Sequence, residues 1–224
     1  MNNEIILILE VLITFSLLLF VKRFFGKVGL IAWVAIATVL ANIITAKNSS
    51  IAGLNVAIGT VMFASTFLAT DILTECYTKE DAKKAVYIGL FSNVILILST
   101  QIALWYSPSM IDYADESMRT LFSLNIRISA SSAVMYFVSN MADIYIFNAI
   151  KNRMNGRKLW LRNNVATILC NCLENFGFIF FAFVGIYDLP TIFEIAISTS
   201  IVEFVVALLD TPFLYTARKI TSKE

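Results

Sequence analysis

The sequence predicts an all-α polytopic membrane protein, a bundle of about seven transmembrane helices. Three observations lead there. The chain of 224 residues is 58% hydrophobic and 15% charged, where soluble domains run near about 45–50% apolar and about 25% charged. The apolar residues fall in seven blocks, each near the roughly 20 residues that cross a bilayer as a helix. The basic residues gather in alternate connections, as loops on opposite sides of a membrane require. Helices satisfy their backbone groups within the segment, and the blocks lack the alternation of barrel strands. The expected organisation is one integral membrane domain over 1–224, with an N-terminal helix in 1–27 added to a six-helix core in 28–217.

The seven expected spans are Ile5–Val21, Val28–Ala46, Leu54–Glu75, Ala85–Tyr106, Ile128–Ile150, Asn164–Tyr187 and Thr191–Ala217. The first is the shortest and carries Glu10. The N-terminal stretch lacks the basic region and cleavage site of a signal peptide, so it reads as a retained helix. Fourteen of the 17 lysines and arginines follow spans one, three, five and seven. Lys22, Arg23 and Lys27 follow the first, and Lys79, Lys83 and Lys84 the third. Lys151, Arg153, Arg157, Lys158 and Arg162 follow the fifth, and Arg218, Lys219 and Lys223 the seventh. The remaining connections hold Lys47 and Arg119, with Arg127 at a span edge. This pattern predicts an extracytoplasmic N-terminus and a cytoplasmic C-terminus in the plasma or inner membrane.

The outer loop Ser107–Asn125 is long enough for a short helix. Pro212 falls in the last turns of span seven, where a kink is expected. Spans two to four and five to seven begin on opposite sides, which allows two inverted three-helix repeats. No histidine is present, which excludes imidazole acid–base chemistry and most zinc sites. Cys76, Cys170 and Cys172 read as small packing residues. No cofactor is implied, and nothing points to nucleic acid. The chemical partners are a small solute and the lipid bilayer; a homodimer is allowed.

Function is read from the ionisable residues within the spans. One such group costs about 2.5 kcal/mol or more at the centre of a membrane helix, and it commonly marks a substrate or proton path. Asp71 and Glu75 are four apart on one face of span three, and this pair is the candidate proton-coupling site. Glu75 also fits an interfacial charge facing water and Lys79. Asn140 and Asp143 share a face of span five, whose outer end Arg127 caps. Asn164, Thr167, Asn171 and Glu174 form a stripe on span six, and Glu203 and Asp210 share a face of span seven. Candidate substrate-binding residues are Asp71, Arg127, Asn140, Asp143, Asn171, Glu174 and Glu203. Four ionised carboxylates cannot share a low-dielectric cavity, so some hold protons or a cationic ligand neutralises them. No basic residue is expected at their depth. Phe63, Phe67 and Tyr136 are candidates to sandwich a planar ligand.

At these motifs the chain resembles the queuosine precursor transporter family, also called the vitamin uptake transporter family. The likeness covers residues 28–217. It is carried by Ala69-Thr70-Asp71-Ile72-Leu73-Thr74-Glu75 with Tyr77, by Arg127 with Asp143–Phe147, by Trp160-Leu161-Arg162-Asn163-Asn164 running into Thr167, Asn171 and Glu174, and by Thr211-Pro212. The resemblance implies import of a 7-deazaguanine base: queuine, 7-cyano-7-deazaguanine or 7-aminomethyl-7-deazaguanine. Two of these carry a protonated amine, in keeping with an acidic interior. The chain departs from the family pattern at Thr78, where glycine is common, at Asn171 and Glu174, where glutamine and aspartate are more usual, and at Glu203, where lysine is usual. That last reversal favours a more cationic substrate.

The leading expectation is therefore a proton-coupled secondary importer, since the chain has no phosphate-binding loop. The alternative is a substrate-binding membrane subunit that works with a separate ATPase, for which the Ala37/Ala41 pair offers a docking stripe. An enzyme is not expected, because no nucleophile stands beside a base.

Overall fold

A computed structural model describes residues 2–122 and 126–220. The described residues are organised as helix α1 (Asn3–Ile44), a hairpin of β1 (Asn48–Ile51) and β2 (Leu54–Ala57), and helices α2 (Thr60–Cys76), α3 (Lys79–Trp105), α4 (Asp115–Phe122), α5 (Ile126–Arg153), α6 (Leu159–Phe183) and α7 (Leu189–Lys219). Five of these helices are long and apolar enough to cross a membrane by length and composition. Large side chains such as Phe20, Phe91, Leu98, Phe181 and Leu208 point outward from the bundle. Threonines, asparagines and aspartates point inward. This inside-out arrangement defines a polytopic helical membrane protein.

Helix α1 joins the first two expected spans without a loop. A straight helix of its 42 residues would reach about 63 Å. Yet the Asn3 side chain donates to the Ser50 carbonyl at 2.8 Å, and the Ala52 N–H donates to Glu4 at 2.9 Å. The two ends of α1 therefore lie at the same end of the bundle, so the helix doubles back. The reversal is made at Gly26, whose φ of 53° and ψ of −136° lie outside the helical region. Only glycine adopts such a conformation readily. Lys22 and Lys27 thus sit beside a sharp turn and not in a connecting loop.

The expected third span is corrected at its start. Leu54–Ala57 is the second strand of a hairpin, in register Asn48 with Ala57 and Ile51 with Leu54, and the helix begins at Thr60. The Ala52-Gly53 turn reverses the chain here. Ile51 and Val56 pack against Val202 of α7 and Leu7 of α1. The expected sixth span is also too short: α6 begins at Leu159 and takes in Trp160–Asn163.

Helix α4 lies in the connection between α3 and α5, where a short helix is expected, with Arg119 tying it to Leu104 of α3 at 3.2 Å. Its hydrogen bond to Asp115 raises the Arg119 guanidinium above its ordinary pKa. Thr78 earns its place by capping α3: its hydroxyl accepts from the Asp81 N–H at 3.1 Å and donates to the Asp81 carboxylate at 2.7 Å. Helix α7 stays helical through Pro212. The N-terminal half of α1 is fully integrated, with Phe15 set edge-on to Phe213 at 5.3 Å between centroids. Ala37 and Ala41 are 1% and 4% exposed, so they pack within the chain and present no docking stripe.

Candidate functional site

The helices run alternately, so residue number along each gives depth. One end of the bundle carries the hairpin and the start of α5 and α7. The other carries the Gly26 turn and the start of α3 and α6. The polar residues separate along this axis into three groups.

Nearest the hairpin end is an open cavity of about 780 Å³, within the usual range for small-molecule sites. Glu174 and Asn175 of α6 and Glu203 of α7 line one wall. Phe63 of α2, Tyr136 of α5 and Phe178 of α6 supply aromatic surface, and Asn42, Thr45 and Ser132 supply polar rim. The carboxylates are positioned from behind. Ser139 donates to Glu174 Oε2 at 2.6 Å, and Asn175 donates to Glu203 Oε2 at 2.7 Å. Phe63 and Tyr136 meet edge to face, 6.0 Å between centroids. Tyr136 reaches α3 because Gly89 has no side chain, and a Cβ there would collide with its hydroxyl.

Below the cavity is a sealed group. Asp71 of α2 and Asp143 of α5 are both 0% exposed, within interaction range of one another. With both ionised, neither carboxylate finds a donor in the other; a proton held between them makes each the other's partner. Asp210 of α7 is close enough to Asp71 to repel it, and accepts from Asn163 at 2.5 Å. Thr167 lies beside Asp143. Asn140 donates to the Tyr136 carbonyl at 3.0 Å. Asn171 is buried, and its Oδ1 has no partner among the described residues.

At the basic end Glu75 is enclosed by cations from three helices. Lys151 of α5 lies 3.1 Å away, Arg218 of α7 lies 3.6 Å away, and Arg162 of α6 forms a close ion pair. Two expectations are corrected here. Glu75 does not face water and Lys79; its side chain is 5% exposed, and Lys79 instead stands over the Tyr145 ring. A basic residue does reach the buried carboxylates: Arg162 is 0% exposed, packs over Phe147, and acts on Asp71 as well as Glu75.

The expected residues are thus split. Glu174 and Glu203 meet in the cavity, with Phe63 and Tyr136 beside them. Asp71, Asn140, Asp143 and Asn171 are buried beneath it, and Phe67 is fully buried in the core. The Arg127 side chain lies outside the described residues. Sequence reasoning named Asp210 and Asn163 without choosing them as site residues, and did not single out Asn175 or Ser139. Asp210 was signalled by its seven-residue spacing from Glu203. The two asparagines each sit next to a chosen stripe position, and a helix rotated slightly from the assumed orientation brings them inward.

A polytopic helical bundle with a polar cavity open at one end and ionic closure at the other is built as a membrane transporter. Residues 57–217 match the family described as "Putative vitamin uptake transporter". A protein of Bacillus subtilis (strain 168) named "Probable queuosine precursor transporter" is 34% identical over 220 residues, 98% of this chain and 96% of that relative. A Haemophilus influenzae Rd protein of the same name is 31% identical over 102 residues, 46% of this chain and 40% of its own. No solved structure matches the chain. The chain belongs to the vitamin uptake transporter family, and all four motifs that carried the resemblance fall inside the matched residues.

Proposed function

We propose that the protein imports a queuosine precursor, a 7-deazaguanine base such as queuine or its 7-cyano or 7-aminomethyl precursors, across the cell membrane by proton-coupled secondary transport. The observation that carries this reading is the cavity lined by Glu174, Glu203, Phe63 and Tyr136. It offers carboxylate acceptors and flat apolar walls, the chemistry that a planar hydrogen-bonding base needs. The names of the two relatives support the same substrate class.

In this reading the chain is one membrane domain of seven crossings, counting α1 as two. Residues 1–27 supply the additional helix and 28–217 the transport core, whose two halves are oppositely oriented. The basic end faces the cytoplasm and the cavity faces outward. Glu174 and Glu203 bind the base, and Asn140 and Asn171 are reached as it descends. Asp71 and Asp143 carry the coupling proton, since two adjacent carboxyls in a sealed site cannot both stay charged. Glu75, with Lys151, Arg162 and Arg218, is the inner gate. Alternating access opens one end as the other closes.

The test is rescue of queuosine in the tRNA of a cell that cannot make the precursor and lacks its own importer, with each base supplied separately at low concentration. Rescue by at least one base is expected, and rescue by none refutes the reading. Accumulation should collapse with a protonophore and with Asp143→Asn, while that variant still reaches the membrane. Full accumulation under both treatments would remove proton coupling through Asp143.

A further inference from the structure

We infer that the outer cavity selects a planar heteroaromatic base carrying a protonated alkylamine over an otherwise equal neutral base, with Glu174 and Glu203 as the pair that sets this preference. The inference rests on the transport reading above and narrows its substrate class.

The two side chains come from neighbouring helices, and are near enough for their charges to repel. Glu203 is 8% exposed, so little water screens the pair. Among the described residues each carboxylate is held through Oε2, by Ser139 and by Asn175, which leaves Oε1 of each to a ligand. No lysine or arginine among the described residues lines the cavity. The buried cation Arg162 is committed at the other end, to Glu75 and the Gly156 carbonyl. An ammonium group between the two free oxygens relieves the repulsion and supplies two charge-assisted hydrogen bonds. A nitrile in place of the amine offers no proton of its own to either carboxylate and brings no charge to offset theirs. The aromatic surface around the site adds attraction for a cation as well as for a flat ring.

Aromatic surface for the ring lines the same cavity. Phe63 and Tyr136 stand on α2 and α5, while Phe178 stands on α6 beside Glu174 and Asn175. A planar base against this aromatic surface has Glu203 of α7 in the same cavity to meet a short substituent. The amine must therefore sit on a flexible carbon next to the ring, since an amine conjugated with the ring is not protonated at neutral pH.

The experiment uses the full-length protein in detergent and in proteoliposomes. The probes are 7-aminomethyl-7-deazaguanine and 7-cyano-7-deazaguanine, which share one ring and differ in charge. Direct binding and competition with a radiolabelled base are both read. The aminomethyl base should bind more tightly, on the order of 10- to 100-fold. Glu174→Gln and Glu203→Gln should each narrow that ratio. Glu174→Asp, which restores the charge, should keep it wider than Glu174→Gln does. Gel filtration identifies any variant that fails to fold, and the wild-type ratio still decides the matter in that case. Equal or tighter binding of the cyano base by the wild type overturns the inference while leaving the transport reading intact. So does a preference that survives both glutamine substitutions. Binding of neither base removes the transport reading itself.

Discussion

Replacing Glu75 by glutamine should release the closed end of the bundle. The magnitude follows from the three cations around it. Lys151 and Arg218 are 27% and 56% exposed, and such pairs contribute at most about 1 kcal/mol each. Arg162 differs, because its side chain is 0% exposed and that of Glu75 is 5% exposed. Removing one partner of a buried ion pair costs about 3–5 kcal/mol. Glutamine keeps a dipole at the site, so the lower figure of about 3 kcal/mol is the appropriate one. If that energy is present only while the end is closed, Glu75→Gln shifts the equilibrium toward the open form by about two decades. Cys170 reports the change, since it is 1% exposed and shares the inward face of α6 with Thr167, Asn171 and Glu174. With Cys76 and Cys172 replaced by serine, a membrane-impermeant maleimide should label Cys170 up to ~100-fold faster in inverted vesicles. Labelling in right-side-out vesicles should not rise. A rate unchanged by Glu75→Gln would refute the gate, and equal increases from both sides would mean unfolding instead of opening.

Two further substitutions test how the bundle is held. Lys22 is 2% exposed and donates to the carbonyls of Ala217 and Ile220 at the end of α7. Lys22→Met keeps the apolar stem, removes these bonds, and should destabilise the protein by about 2–3 kcal/mol; a lowered melting temperature in detergent is the readout, and an unchanged one contradicts the assignment. Gly89→Ala would gain up to about 1 kcal/mol from helix propensity alone. The collision with the Tyr136 hydroxyl should outweigh that by displacing a cavity wall, at about 1–3 kcal/mol. Melting temperature and base affinity should both fall, and a rise in melting temperature would show that Tyr136 moves freely aside.

Much of the fold was legible because hydropathy and charge act locally along the chain. The apolar block from Ile5 to Val21 is recognisable without any partner, and so is the basic cluster after Ile150. The Leu54 boundary was misread because Leu54-Asn55-Val56-Ala57 is apolar enough to extend a span, while strand pairing with Asn48–Ile51 depends on a turn that hydropathy does not register. Arg162 was read as a loop residue for a related reason. Its charge suggests water, yet Glu75, the Gly156 carbonyl and the Phe147 ring together replace that water. Glu174 and Glu203 were found by their cost in a membrane, and their partners Ser139 and Asn175 were overlooked because neutral polar residues carry a weaker signal.

By itself the sequence determined the membrane class, the end of the bundle that bears the basic residues, the faces on which acidic side chains fall, and the family motifs. These depend on period and composition, which each segment carries alone. Tertiary structure decided which carboxylates share a cavity and which are sealed away. Helical period fixes angles within one helix, but the rotation of that helix against its neighbours is set by packing. That rotation sends Glu174 and Glu203 to an open cavity, Asp71, Asp143 and Asp210 to a sealed cluster, and Glu75 to the cations at the far end.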